Sequence, residues 1–449
     1  MRWRQALMAM VAVVLAAGCD SAPPVPVLHM SGIMERPCTG QVAAEPPHPA
    51  HGVEFIPGSS VLTSEDSGSC AASAVAVSHR WLAGGTVPGT SPAERDLSER
   101  ALLDLRLSVL PDGAVVAGYY ANWWYTWPRD SSWVAAALSY TGHGDMALRI
   151  LRFLQRMQPA SGIWAARYHP DGSGPVSDGR PAQLDSDGWV PWAVWCWARA
   201  QRLVPGSPAW QALTGVWPMV VRAADAAARS LSADGLPGPA QDYWEHGQDV
   251  TLGTAAPLLA GLRAAADLAG ELGAAVASPG TVPAPSDLRA RQRRWLAAAT
   301  RLTTAIRTQF GSTGYHRGPD AGSGADTAVT FLGPPLGSAD PAVSRAAQKA
   351  QHVLAVPNGG LRPGEAWSGA SGVAWTPETA LFALFDAGTG QRADAERLVA
   401  WLMAHRTTLG ELPEQVSPSG QPISVAPLAW TDAIVLLTLL ADTHPIPTP

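Results

Sequence analysis

The sequence predicts an all-α chain folded as a ring of helical hairpins with one functional rim. Three observations carry this. From about residue 91 onward, apolar residues recur at the helical period in about twelve segments. Turns rich in Gly, Pro, Ser and Thr alternate with much longer connections between those segments. The long connections hold most of the clusters that mix aromatic and polar side chains.

Residues 1–18 read as a signal peptide. Arg2 and Arg4 give a positive start, Leu7 to Ala17 is an apolar run short for a membrane span, and Ala16-Ala17-Gly18 place small residues before Cys19. This resembles a bacterial lipobox. It implies a mature chain that begins at a lipidated Cys19 and is exported to the outer face of a membrane. An ordinary secretory cleavage nearby is the alternative. No second long apolar run follows. Residues 19–50 read as a tether and 51–90, rich in Pro, Ser and Gly, as an irregular lead-in. Cys38 and Cys70 flank a Pro- and Gly-rich segment and are candidates to pair in an oxidising compartment. Cys196 lies among tryptophans on an expected helix and reads as a small buried hydrophobe.

The helical region spans 91–445. Ser91–Leu110 opens it with a Ser-Pro-x-Glu start and a leucine stripe. Ser131–Tyr140, His143–Gln158 and Trp189–Leu203 follow, the last with Trp at 189, 192 and 195. Pro208–Leu231 and Thr251–Ala269 are Ala-rich with Leu and Val stripes. Ser286–Phe310 is long and basic on one side, and Ala325–Leu332 is short. Pro341–Leu354, Pro377–Ala387, Arg392–His405 and Pro427–Ala441 complete the set. The short joins include Thr141-Gly142-His143-Gly144 and Gly388-Thr389-Gly390-Gln391; the long ones are Pro111–Asp130, Ala160–Gly188, Ser232–Val250, Ala355–Thr376 and Thr407–Ala426. If helices alternate up and down, all five long joins emerge at one end. Long loops in a compact domain are usually functional.

Composition narrows the partners. A net charge of −6 argues against nucleic acid. No CxxC pair and no His cluster at ligand spacing appears, so neither a metal nor another cofactor is expected. Nineteen tryptophans are many for 449 residues, and an aromatic-lined carbohydrate groove would explain the excess.

The stretch Tyr119–Asp130 makes that idea specific. Tyr119, Tyr120, Trp123, Trp124, Tyr125 and Trp127 offer flat apolar faces, and Arg129 and Asp130 close the stretch with a donor fork and an acceptor. Such faces suit the C–H side of a sugar ring, and the hydroxyls need paired polar partners. The same stretch also fits a buried aromatic cluster whose Arg129–Asp130 pair starts a helix. On the other long joins stand Gln183-Leu184-Asp185, Tyr243-Trp244-Glu245, Arg362, Trp375 and Pro413-Glu414-Gln415. Glu245 follows two aromatics, and an apolar setting favours a protonated carboxyl, as a general acid requires. Glu414 sits in a polar loop where it could stay ionised and activate water. Glycoside hydrolysis needs such a pair.

With these residues in order, the chain resembles the glucoamylase-type glycoside hydrolases, family fifteen. Asp112-Gly113-Ala114 with Trp127-Pro128-Arg129-Asp130 is similar to the family's first substrate loop, and Gln183-Leu184-Asp185 to its second. Trp244-Glu245 resembles the catalytic-acid loop, Glu414-Gln415 the catalytic-base loop, and Leu428-Ala429-Trp430-Thr431 the run that follows it. The resemblance implies an (α/α)6 barrel and an inverting exo-hydrolase that releases terminal glucose from an α-linked oligosaccharide or glucan; a monomer is expected. Glu245 would be the acid and Glu414 the base. Trp127, Arg129, Asp130, Gln183, Asp185, Trp244, Arg362 and Trp375 would bind substrate. His246 stands where the family often has a second acidic residue, which keeps trehalose and isomalto-oligosaccharides open as substrates. A surface lipoprotein that captures sugars without cleaving them, and a polysaccharide lyase using Tyr168 and His169, are the readings from other classes.

Overall fold

The computed structural model describes residues 23–50, 52–65, 68–275 and 285–449. The expected signal peptide and the lipid attachment at Cys19 lie outside them. The stretch read as a tether and lead-in is more structured than its sequence suggests. Strands β1 (Gly32–Glu35) and β2 (Val42–Glu45) pair antiparallel, with Gly32 opposite Glu45. Helix α1 (Ser69–Ala83) follows, and the Cys38–Cys70 disulfide ties it to the hairpin. The helix escapes a periodicity reading because its buried face is Ala71, Ala74, Ser78 and Leu82, mostly small residues that draw no apolar stripe.

Helix α2 (Pro92–Ser108) starts at a capping box in which Ser91 and Glu94 satisfy each other's backbone amides. Then come α3 (Pro128–Tyr140), α4 (Gly144–Met157), α5 (Ser186–Ala200), α6 (Pro208–Ser230), α7 (Leu252–Ala275) and α8 (Pro285–Ala305). A short 3₁₀ helix, Thr327–Leu332, precedes α9 (Pro341–Leu354), α10 (Thr376–Gly388), α11 (Arg392–Ala404) and α12 (Ala429–Thr443). Helices α3, α5, α7, the short helix, α10 and α12 pack each on the next, and α12 closes on α3. That is the inner ring. Helices α2, α4, α6, α8, α9 and α11 pack outside it.

The two rings differ in sequence for a physical reason. Inner helices α3, α5, α10 and α12 are buried on nearly every face, so they are apolar or small all round. Outer α4 buries only Ala147, Ile150, Leu151, Phe153 and Leu154 and is charged elsewhere. The architecture is an (α/α)6 barrel. Joins from an outer to the next inner helix are long, and the reverse joins described are short. The rim has a sixth long join, 306–326, that the reading by loop length passes over because a π turn and short 3₁₀ turns carry most of it. At this rim β3 (Ala374–Trp375), β4 (Gln415–Val416) and β5 (Pro422–Ile423) form a small antiparallel sheet. Among the described residues, no helix is long and apolar enough to cross a membrane.

Candidate active site

Every outer-to-inner join ends at the N-terminus of an inner helix. The first turns of those helices therefore face the rim together with the joins. Between them lies a cavity of about 330 Å³, within the range of small-ligand sites. Glu245 and Glu414 both line it, with Trp127, Arg129, Asp130, Trp244 and Trp375.

The turn that carries Glu245 is built around Asp242. Its carboxylate accepts the Trp244 amide at 3.0 Å, the Thr251 hydroxyl at 2.8 Å and the Arg317 guanidinium at 2.9 Å. The Glu245 amide donates to the Asp242 carbonyl at 2.9 Å, and the Gln241 side chain donates to the Glu245 carbonyl at 2.9 Å. Glu245 itself sits in the left-handed region, at φ 57°, a conformation that costs about 1–2 kcal/mol for a residue with a Cβ. Arg317 also pairs with Asp326 at 3.2 Å and lies 3.7 Å over the Trp244 ring. Tyr243 donates to Asp326 at 2.6 Å. Trp244 and Glu245 are thus held by a buried network, not by the loop alone.

The setting of the Glu245 carboxylate is polar, which corrects the apolar one expected from Tyr243 and Trp244. Oε1 accepts Trp127 Nε1 at 2.7 Å and Gln183 Nε2 at 3.0 Å, and Oε2 holds Arg180. The two aromatics point elsewhere: Tyr243 to Asp326, and Trp244 between Arg317 and Trp367.

Glu414 leads into β4. Its amide donates to Val425 at 2.8 Å, and its carbonyl accepts the Thr376 amide at 3.0 Å. The carboxylate accepts Trp123 Nε1 at 3.0 Å on Oε1, and Ser424 and Gln415 on Oε2. Burial raises its pKa above the ordinary value, with Asp130 adding; Ser424, Trp123 and Gln415 act the other way. Sequence reasoning expects a loop carboxylate that could stay ionised. The structure gives a half-buried one whose charge depends on its hydrogen-bond donors.

Arg129 and Asp130 lie in the first turn of α3, 5% exposed each. Arg129 donates to Gln183 at 3.1 Å, approaches Asp185 at 3.6 Å and Asp130 at 3.5 Å, and its guanidinium carbon lies 5.3 Å from the Trp430 ring centroid. Arg129 Nε and Asp130 Oδ2, which face each other at ion-pair distance, and the indole nitrogens of Trp244, Trp367 and Trp430 make no hydrogen bond to the protein. Burial pushes Asp130 up to about 6 against the pull of Arg129, and Asp185 likewise to about 6.

Gln183 and Asp185 are buried behind the wall and orient Arg129 and Glu245. Arg362 is not brought to the wall; its neighbour Pro363 is. Sequence reasoning passes over Arg180, Trp367, Glu378 and Ser424, and it offers Trp123 as an aromatic face for a sugar without the indole hydrogen bond to Glu414 that the structure gives it. Glu378, in the first turn of α10, is pushed up to about 8 by burial, with Glu414 and Asp326 adding, so it holds a proton at neutral pH and can donate as well as accept. Its signal was its place: the same first-turn position that Asp130 has on α3. Tyr168 and His169, named for a lyase, do not line the cavity; the Tyr168 hydroxyl accepts the Ala165 amide at 2.9 Å.

No family model matches the chain. An uncharacterized glycosyl hydrolase from Methanocaldococcus jannaschii is 27% identical over 100 residues, 22% of this chain. That match spans only 16% of the relative's length. Among solved structures, a wild-type glycosidase superposes with a TM-score of 0.63 at 21% identity, covering 79% of this chain and 99% of the other. A bacterial glucoamylase complexed with acarbose gives 0.62 at 18% identity, covering 83% and 59%. A family 15 glucoamylase from Hypocrea jecorina gives 0.60 at 16% identity, covering 78% and 71%. These likenesses establish the fold as the barrel of the glucoamylases.

Proposed function

We propose that the chain is a glycoside hydrolase that releases terminal glucose from an α-linked gluco-oligosaccharide or glucan with inversion. The observation that carries this is the pair Glu245 and Glu414, distant in sequence yet lining one cavity of sugar-sized volume, with Arg129 and Asp130 in the same wall. The fold shared with glucoamylases supports it. Glu245 is the acid and Glu414 the base. Acid action requires the glycosidic oxygen to take the place of the Arg180 guanidinium at Oε2 of Glu245. The base takes a proton from water on the opposite face of the ring, and the donors Trp123 and Ser424 favour its carboxylate form. Asp130, Arg129 and the protonated Glu378 supply partners for hydroxyls, and Trp127, Trp244, Trp375 and Trp430 supply apolar faces. Trehalose and isomalto-oligosaccharides belong to the same reading, because exposed His246 leaves the leaving-sugar side without a second acid.

Incubation with maltotriose, isomaltose and trehalose, followed by proton NMR of the first product, tests it. The expected result is β-glucose from at least one of them. Glu245→Gln and Glu414→Gln should each lower kcat by roughly 10³-fold or more with the fold intact. Tight sugar binding with no product from the wild-type chain favours a capture lipoprotein instead. Export, lipid attachment at Cys19 and a monomeric state belong to the same proposal. The basic and apolar start supports export, and the bonded Cys38–Cys70 pair suits an oxidising compartment. Radiolabelled lipid incorporation, lost in Cys19→Ser, checks the anchor.

A further inference from the structure

We propose that the segment Val27–Ile33 is a strap that positions the base, holding the join that bears Glu414 from both sides of that residue. The proposal rests on the reading of Glu414 as the base. On the near side, Thr407 Oγ1 donates to the Ser31 carbonyl at 2.6 Å, and the Ile33 amide donates to both carboxylate oxygens of Glu411 at 2.9 and 3.1 Å. On the far side, the Ser424 amide donates to the Val27 carbonyl at 2.9 Å and the His29 amide to the Ser424 carbonyl at 2.7 Å. Glu414 lies between these two staples.

The strap reaches the donors of both carboxylate oxygens. Ser424, whose hydroxyl serves Oε2, sits at φ 70°, a left-handed conformation that a serine keeps only when its surroundings impose it. The strap takes up both of its backbone hydrogen bonds. On the other side the His29 ring stacks on Tyr120, with centroids 4.3 Å apart and planes 8° from parallel, and lies 5.8 Å from the ring of Trp123, whose Nε1 serves Oε1. The strap is itself fixed. Met30 and Ile33 are buried, Glu35 pairs with Arg106 at 2.9 Å, and a Cβ on Gly32 would stand 2.7 Å from the Glu411 carboxylate. This segment is thus part of the site although the sequence reads as a tether there.

The charged groups facing Glu414 set the sign of the effect. Burial and Asp130 on α3 oppose its ionisation, Glu378 on α10 stays protonated and neutral while it titrates, and hydrogen bonds from Ser424, Trp123 and Gln415 favour its charge. A loosened strap weakens two of those three donors. Glu414 then needs a higher pH to ionise, and the acidic limb of kcat/KM moves up.

Three full-length variants test this. His29→Pro removes the amide donor and the ring, His29→Ala removes the ring alone, and His29→Phe restores a flat ring. On a sugar that the wild-type chain hydrolyses, His29→Pro is expected to lower kcat about tenfold with KM within about twofold. The acidic limb moves up, His29→Ala falls between, and His29→Phe recovers most of the loss. In the same variants amide exchange across residues 421–426 speeds up in His29→Pro. If His29→Pro does not fold, His29→Ala carries the comparison with His29→Phe. An unchanged kcat and acidic limb, or unchanged exchange in the join, overturns the strap. No glucose from wild-type protein overturns the reading of Glu414 and with it the strap's part in catalysis, while the exchange measurement still decides whether the strap holds the join.

Discussion

Behind the cavity-lining Trp244, Gly364 leaves no room for a side chain. A Cβ there would stand 2.2 Å from Cζ2 of Trp244 and 3.1 Å from Oδ2 of Asp326. Trp244 cannot retreat, because Arg317 lies against its ring and is itself fixed by Asp242 and Asp326. Gly364→Ala should therefore tilt Trp244 into the cavity and strain the Arg317 network. The expected cost is about 1–3 kcal/mol of stability. A KM several-fold higher should accompany it. Thermal melting and steady-state kinetics on one preparation check both. At this scale the two glutamates were legible because each stood beside distinctive neighbours on a long join. Arg180 was not, since an arginine in a loop reads as solvated until its partner is known. Glu378 was not, since an acid in the first turn of a helix reads as a response to the helix dipole. Arg362 was over-read from its motif; folding turns Pro363 to the cavity instead.

The hairpin β1–β2 shows what element-level reading misses. Four-residue strands carry too little alternation to register, and their stability comes from docking onto α2 and the join bearing Glu414. The Cys38–Cys70 bond closes a loop with a sequence separation of 32 and restricts the unfolded chain. Reducing it should cost about 3–4 kcal/mol by the chain-entropy estimate. The expected outcome is a lower melting temperature in reductant, matched by Cys38→Ser with Cys70→Ser, and amide exchange that rises first in residues 28–65. A melting temperature indifferent to reductant would mean the docking contacts alone hold the hairpin. By contrast the main helices were legible, because each either draws an apolar stripe over three or more turns or is apolar all round. Their ring arrangement was legible from the alternation of join lengths.

For the molecule as a whole, packing of the two rings buries acids carried by the inner helices, Asp386 against Gln351 of α9 among them. Burial pushes Glu378 up to about 8, Asp386 to about 7, and Asp130 and Asp185 to about 6. In the unfolded chain such groups titrate near 4 (about 3.9 for Asp, 4.3 for Glu). Between about pH 4 and the folded-state value, the folded chain binds more protons than the unfolded one, so stability falls as pH rises through that window. A few groups act oppositely. Glu94, in the α2 capping box, is held below its ordinary value by hydrogen bonds from Ser91 and Thr90, and Asp178 by Arg167 and Arg180; their contribution is lost on acidification. Those losses begin near the unfolded-state values, outside the window where Glu378 and Asp386 titrate. His143, held down to about 4 by burial, costs stability as pH falls below about 6.5 and offsets one part of the effect of the four carboxyls. The chain should therefore melt several degrees higher near pH 5 than near pH 8. Glu378→Gln, which carries no charge to bury, should raise the melting temperature at pH 8, leave it nearly unchanged at pH 5, and so flatten the profile. A melting temperature that rises with pH over this range would show that the ring interior admits enough water to let these carboxylates ionise without cost.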